Sequence, residues 1–386
     1  MKICAIITTY NRAAMLEEAI RSVLGQTRPA NEIIVVSDGS TDCTAQVAAS
    51  FGDRIRFVEK ANGGKSECLN LALGMTKADY IWIMDDDDLA DPEGLERFAT
   101  ALDENPNADV VFGTFKMFRE ENQRYVYFDP SYRPRPEEPD WKITFLEEMF
   151  TFQAAMLVRR SAYELVGPFN TDYIRSQGYE MTLRLMKKIK FIQVPKVIFY
   201  QRQHDGLRGA AAAQFSASDS EVTWLKYGIS LFLWVREEYS LSEFTPSFAR
   251  TLPPSQAKRA ALVQRLSISA NRALWNEVLA DLKEAVALNA GDISPEEIMI
   301  AEAVPRTKGA WGVLAANPLC QKQLRDLADD NSFARDLLVA LVRPLGWQSK
   351  AMIRAGEIKN AVRWWLLVIS LVGLRGFMHR LIKAIR

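Results

Sequence analysis

Four consecutive aspartates, Asp85 to Asp88, follow the apolar run YIWIM. Adjacent carboxylates at the end of a buried strand raise one another's pKa unless a cation neutralises them. Hard divalent ions such as Mg²⁺ or Mn²⁺ take oxygen ligands, usually one or two carboxylates plus substrate phosphates. Capping does not explain the tetrad, because Asp91 already fills the cap position of a helix starting near Pro92. Two further segments carry turn chemistry. In VVSDGSTD, residues 35–42, Asp38 ends a strand, Gly39 permits a tight turn, and Thr41 or Asp42 can cap a helix. In ANGGKSECLN, residues 61–70, a glycine pair opens a helix where backbone can approach a phosphate, with Lys65 adding charge. Taken singly, each is also an ordinary strand–turn–helix junction. His204, one of two histidines, stands in RQHDG after an apolar strand, where a lone histidine is equally a structural residue.

The elements that must hold these residues alternate. KICAIITT, EIIVVSD, RIRFVE and YIWIMD read as buried strands. Between and after them, helical spacing spans Ala13–Leu24, Thr41–Ser50, Ser66–Leu73 and Pro92–Leu102. Repeated β-α-β units with apolar strands predict an α/β fold with a Rossmann-like, mostly parallel sheet covered on both faces. Ligands bind such sheets at the carboxyl ends of the strands, here Thr8-Thr9-Tyr10, Asp38-Gly39-Ser40 and Asp85 to Asp88. Beyond residue 110 the alternation weakens. DVVFGTFKMF, RYVYFD and QAAMLVRR read as strands, and the proline-rich stretch 129–140 as a loop or lid. Tyr179–Lys188 reads as a helix, and the stretch from Phe191 as two strand pieces broken at Pro195. After Gly206 the texture turns alanine-rich and helical. The expected organisation is an α/β domain over 1–210, a helical domain over 211–353 and a basic helical tail over 354–386.

With 386 residues, 48% of them hydrophobic and 25% charged, the chain is globular and long enough for two domains. Lys+Arg and Asp+Glu both number 48, so no global positive field exists and nucleic acid is not an expected partner. Cys4, Cys43, Cys68 and Cys320 lack metal-site spacing and read as reduced thiols of a cytoplasmic protein. ICAII is too short for a leader, and no apolar run reaches membrane-spanning length. In 354–386 only Glu357 opposes seven basic residues. Arg375, His379, Arg380, Lys383 and Arg386 share one helical side, opposite Phe377, Met378, Leu381, Ile382 and Ile385. With Trp364 and Trp365 ahead of it, 364–386 suits an anionic membrane surface, or a helix docked on its own domain or on a partner chain.

Four motifs in order, ITTYNRAAMLEEAIRSVLGQT, EIIVVSDGSTDCT, NGGKSECLN and YIWIMDDDDLADPEGLE, resemble the family 2 glycosyltransferases, inverting enzymes with the GT-A fold. The match covers about residues 1–100 and continues more weakly to 205 through LVRRSAYELVGPFN and VIFYQRQHDG. The resemblance implies a nucleotide pocket at Thr8, Tyr10 and Arg12. Asp38 would accept from the base, usually uracil. Asn62, Gly63 and Lys65 would line the ribose-diphosphate side, and Asp85 would reach the ribose or sugar, with Asp86 beside it. Asp87 would hold the metal through the D-x-D pattern. Arg202 and His204 match an R-x-H element that closes over the diphosphate, with His204 a further metal ligand. The implied activity is transfer of a sugar from a nucleotide sugar, first of all a UDP-sugar, to a hydroxyl of a glycan or lipid-linked acceptor. It would use Mn²⁺ or Mg²⁺, in the cytoplasm or at the inner membrane face.

The pattern breaks at the general base. An inverting transfer needs a group that takes the acceptor's proton as its oxygen attacks the anomeric carbon. In related sequences an aspartate does this within a segment resembling S-E/Q-D-Y-E/D-x-x-L-R-L. This chain reads SQGYEMTLRL at 176–185, with Gly178 in the aspartate's place. Either Glu180 serves as base, or the chain binds nucleotide sugar but transfers poorly and acts through partners, or the glycine is an isolated change in an otherwise active design.

Overall fold

The computed structural model describes residues 1–130, 140–204, 220–303 and 308–385. The chain divides into two compact units, Met1–Glu138 with Met149–Ser220, and Pro139–Glu148 with Glu221–Arg386.

The first unit is built on one curled mixed sheet. β1 (Ile3–Thr9) is buried at all seven positions, as a central strand of a parallel sheet must be. α1 (Ala13–Leu24) turns Leu16, Ala19, Ile20 and Val23 inward at helical spacing. β2 (Glu32–Ser37), α2 (Thr44–Ala49), β3 (Arg56–Glu59), α3 (Lys65–Met75) and β4 (Tyr80–Asp85) complete the alternation read from the sequence. α2 begins later than expected, with Cys43 at its N-cap; Asp42, just before it, accepts at Oδ1 from the Thr44 amide at 3.0 Å. β5 (Leu89–Ala90), α4 (Gly94–Glu104), β6 (Val110–Glu121) and β7 (Arg124–Phe128) follow. The β6–β7 hairpin turns on Asn122 and Gln123, both with positive φ, the geometry of a type I′ turn. After one helix of the other unit, α5 (Trp141–Glu147), come β8 (Met156–Arg159), α6 (Arg160–Val166), α7 (Gln177–Lys188) and β9 (Phe191–Arg202).

Strand order is β3-β2-β1-β4-β8-β6-β9-β5, with β7 added to β6. β1 pairs in parallel with β2 and β4, and β2 with β3, while β8 runs antiparallel to β4 and β6. Register puts Thr8 opposite both Val36 and Asp85, so the polar ends of three strands lie in one row. β9 is one strand rather than two pieces, but its pairing jumps at Pro195. Phe112 faces Gln193 and Thr114 faces Val197. Proline has no N–H for the ladder, so the strand bulges there. Gly113 lies beneath the bulge, where a Cβ would stand 2.9 Å from the Lys196 carbonyl oxygen.

The second unit is helical: α5, then α8 (Ser220–Glu238), α9 (Pro254–Asn271), α10 (Trp275–Ala287), α11 (Pro295–Ala303), α12 (Lys308–Ala315), α13 (Pro318–Asp330), α14 (Ser332–Arg354) and α15 (Ile358–Ile385). The segment around α5, read from the sequence as part of 1–210, packs with these helices. Trp364, Leu367, Val368 and Leu371 lie in the same core as Trp311, Leu337 and Leu341. This corrects the reading of Trp364 as a membrane anchor ahead of a separate tail: α15 starts at Ile358, and Trp364 is core. Gly373 (φ 71) kinks α15. The basic positions Arg375, His379, Arg380, Lys383 and Arg386, and the loop 131–139, lie outside the described side chains and residues. No helix among the described residues is long and apolar enough to cross a membrane.

Candidate active site

The three strand ends carry turns that are stitched to one another. After β1, Asn11 adopts φ 51; its amide donates to Ser40 Oγ (3.0 Å) and its side-chain oxygen accepts from the Thr41 amide (2.7 Å). Asp42 Oδ2 accepts from the Ala13 amide at 3.0 Å, tying the start of α1 to the DGSTD turn. Gly39 has φ +74, and a Cβ there would stand 2.9 Å from the Asn62 nitrogen, so this approach requires glycine. Thr8 is buried at its strand end, and Tyr10 is half-buried beside the same turn.

Asp38 is buried and organises the 60–64 loop. Oδ1 accepts from Lys60 Nζ (3.1 Å) and the Gly63 amide (2.9 Å). Oδ2 accepts from the Gly64 amide (2.8 Å) and Asn62 Nδ2 (3.2 Å), and Asn62 also donates to the Asp38 carbonyl. Four donors occupy a carboxylate with about four lone-pair sites. Asp38, Asn62 and Gly63 are thus brought together as expected, but the Asp38 side chain is spent on its own loop rather than held out for a base. The loop delivers Lys65 as the first residue of α3, where its ammonium pairs with Asp85.

The acidic turn links β4 to β5. Asp86 and Asp88 are buried, Asp85 and Asp87 half-buried. Arg12 Nη1 bridges Asp86 Oδ1 (2.9 Å) and Asp87 Oδ2 (2.8 Å), and His204 Nε2 lies 3.1 Å from the same Asp87 oxygen. Burial alone would push Asp87 up; the His204 hydrogen bond, Arg12 and Lys65 outweigh it and hold the group at about 2. Asp86 goes the other way. Burial and the neighbouring Asp87 exceed the pull of Arg12 and raise it to about 6. Asp88 is raised well above its ordinary value by burial and by Asp87 and Asp85, against the Arg202 amide and the Lys65 ammonium. Carboxylate oxygens of Asp85, Asp87 and Asp88 lie within 4.8 Å of one another. An all-oxygen donor set this close, still short of positive charge, fits a hard divalent cation.

Arg202 is buried and faces away from a ligand role. Its amide donates to Asp88 Oδ1 (2.9 Å), Nε to the Asp87 carbonyl (2.8 Å) and Nη2 to Glu18 Oε2 (2.7 Å). The guanidinium stacks on Phe118, 4.6 Å from the ring centroid. It grips the backbone of the acidic turn and sets His204, two residues on, against Asp87.

Residues 4–167 match the family model described as glycosyl transferase family 2. Through this stretch the chain is similar to the glycosyl transferase family 2 proteins. An uncharacterised glycosyltransferase of Rickettsia typhi is 29% identical over 201 residues, covering 52% of this chain and 63% of that one. Glycosyltransferase GlyG of Streptococcus pneumoniae is 30% identical over 130 residues, 33% of this chain and 43% of that one. The chain thus spans less than two thirds of the length of these curated relatives. Among solved structures, residues 1–349 of S. aureus TarS superpose with a TM-score of 0.51 at 16% identity, over 96% of this chain and 91% of that one. The same TarS segment has been solved with UDP-GlcNAc, at TM-score 0.51 and 17% identity. At this identity the likeness establishes the fold, the GT-A arrangement of the family 2 enzymes.

Gly178 and Glu180 belong to a separate network. Gly178 is the second residue of α7, and its carbonyl accepts from Gln153 Nε2 (3.2 Å) and Thr182 Oγ1 (2.8 Å). Glu180 is buried, and both of its oxygens accept from Arg184, at 2.6 and 2.8 Å. Arg184 in turn holds the carbonyls of Val166, Gly167 and Pro168. This geometry speaks against Glu180 as base: both of its oxygens are engaged by the Arg184 guanidinium, and neither is turned out toward an acceptor hydroxyl. Sequence reasoning missed Lys60, Glu18 and the Asp88 share of the cation site. Asp88 was visible in the tetrad, but Glu18 lies inside an ordinary amphipathic helix and gives no signal.

Proposed function

We propose that the chain binds a nucleoside-diphosphate sugar across the ends of β1, β2 and β4 and transfers the sugar, with inversion, to a hydroxyl of a glycan or lipid-linked acceptor. The observation that carries this reading is the acidic turn itself: three carboxylates within 4.8 Å, flanked by Arg12, Lys65 and His204. Asp85, Asp87 and Asp88 would hold Mn²⁺ or Mg²⁺, with His204 orienting Asp87 rather than replacing a carboxylate. When bound, the ion supplies positive charge for the nucleoside diphosphate as the glycosidic bond breaks. Arg12 and Lys65, each already paired with an aspartate of the turn, are placed to share that charge. Gly63 and Gly64 let the 60–64 backbone approach the donor without a side chain in between. Because the TarS segment was solved with UDP-GlcNAc, UDP-sugars are the first donors to test, in cytoplasm-like reducing buffer.

A second reading, a nucleotide-sugar-binding protein of impaired turnover that acts through partners, is favoured by Gly178 and by the Arg184 lock on Glu180. Calorimetric titration with UDP, GDP and their sugars, with and without Mn²⁺, tests what both readings share. Metal-dependent binding that Asp87→Ala abolishes supports them; binding unchanged in Asp87→Ala removes the cation assignment. Diphosphate release with a membrane-lipid acceptor extract then separates enzyme from binder.

A further inference from the structure

The first half of α15 is apolar on both sides. Its inner side, Ala361, Trp364, Leu367, Val368 and Leu371, is buried in the helical core. At about 100° per residue, Ile358, Val362 and Leu366 form a row on the opposite side. That row is open: Ile358 and Leu366 are each 61% exposed and Val362 42%. Trp365 and Ile369 flank it half-exposed. A helix lying on a soluble domain turns mostly polar residues outward, so one that turns a row of isoleucine, valine and leucine outward as well has a second apolar environment to meet. The other edge of the row is cationic. Lys359 and Arg363 are exposed beside it, and exposed Arg354 ends α14 just before it. The one acid in this stretch, Glu357, lies 3.2 Å from Asn360 Nδ2.

These charges discriminate between occupants. A second copy docking by the same face would bring two cationic edges together with Glu357 the one acid of the stretch to answer them, which is unfavourable. An anionic bilayer answers every feature at once. Isoleucine, valine and leucine enter the acyl boundary, Trp365 sits at the headgroup level, and lysine and arginine meet lipid phosphates. We propose that the outer face of α15 between Ile358 and Leu366 docks this protein on an anionic membrane surface. This places the docking face in the described helix before the Gly373 kink, ahead of the terminal basic stretch. It stands independently of the transferase reading.

The test is co-sedimentation of the full chain with vesicles of phosphatidylglycerol and of phosphatidylcholine. The two variants are Val362→Glu/Leu366→Glu and Lys359→Gln/Arg363→Gln; far-UV circular dichroism and a thermal melt beside the parent report that each is folded. The parent should pellet with phosphatidylglycerol and not with phosphatidylcholine. Removing two cations at about 1 kcal/mol each should weaken partitioning about thirtyfold, and two glutamates in the apolar row should abolish it. A parent that pellets with neither lipid overturns the proposal. So does unchanged partitioning of both variants, which would move any membrane contact elsewhere on the chain. Loss of concentration-dependent self-association in the glutamate variant, seen by sedimentation velocity without lipid, would overturn it in favour of a face between copies.

Discussion

Replacing Gly178 by aspartate separates the chemistry of this site from its stability. Gly178 has no left-handed φ and sits in the first turn of α7. Losing glycine's unfolded-state freedom there favours the fold by about 0.5–1 kcal/mol. A carboxylate in the first turn of a helix adds about 0.3–1 kcal/mol. Against this, the new Cβ would stand 3.2 Å from Gln153 Cγ. Gln153 is held by Tyr163 Oη at 3.0 Å and Thr182 Oγ1 at 2.8 Å, so it yields only by stretching one of these bonds. One weakened hydrogen bond costs about 0.5–1.5 kcal/mol. The opposing effects leave stability within about 1 kcal/mol of the parent. The catalytic effect is far larger: a positioned general base contributes about 10²- to 10⁴-fold, equivalent to about 3–5 kcal/mol of barrier. The assay is nucleoside diphosphate release from UDP-sugars with Mn²⁺ and acceptor, beside a thermal melt and a donor titration. The expected result is an unchanged melt, unchanged donor affinity and turnover raised about a hundredfold or more. A folded, donor-binding Gly178→Asp that turns over no faster than the parent refutes the reasoning and moves the base elsewhere.

Glu180→Gln should leave turnover intact while lowering stability by about 2 kcal/mol in urea unfolding, because Arg184 loses its charged partner; abolished turnover in a folded variant would restore the base role. Glu18→Ala should raise the Mn²⁺ concentration for half-maximal activity about tenfold, because Arg202 loses its anchor and the Asp87–Asp88 backbone its clamp; metal-free UDP affinity should not move. Of the four cysteines only Cys43 is exposed, so native protein at pH 8 should react with one equivalent of a thiol reagent. Burial pushes the Cys4 and Cys68 thiols up to about 12. Raising the pH to 10 therefore leaves them protonated and silent, and early labelling of either would contradict their packing.

Much of this protein was legible along the chain because the deciding interactions are local. Continuous apolar runs and period-3.6 patterning in residues 1–104 specified the alternation of β1 to β4 with α1 to α4. The strand-end rule then pointed to Thr8, Asp38 and Asp85. Local turn chemistry also pointed to Gly39 as a tight-turn glycine, which its φ of +74 requires; the cap expected at Thr41 or Asp42 falls instead at Cys43. Pairing across long separations was not legible. Nothing in the sequence told that Asp38 would spend its four acceptor positions on Lys60 to Gly64. Nor did it show that Arg202, 184 residues from Glu18 in sequence, would turn from a ligand contact into a clamp on the acidic turn. Glu180 could be read from the sequence as base or as a first-turn helix carboxylate; it is in the first turn, and Arg184 grips both of its oxygens. Trp364 looked like a membrane anchor until its ring was found in the helical core. A side chain's type sets what it can bond, and that much is written in the sequence. Which bond it makes depends on the partner that tertiary folding places within about 3 Å, and only the structure decided that.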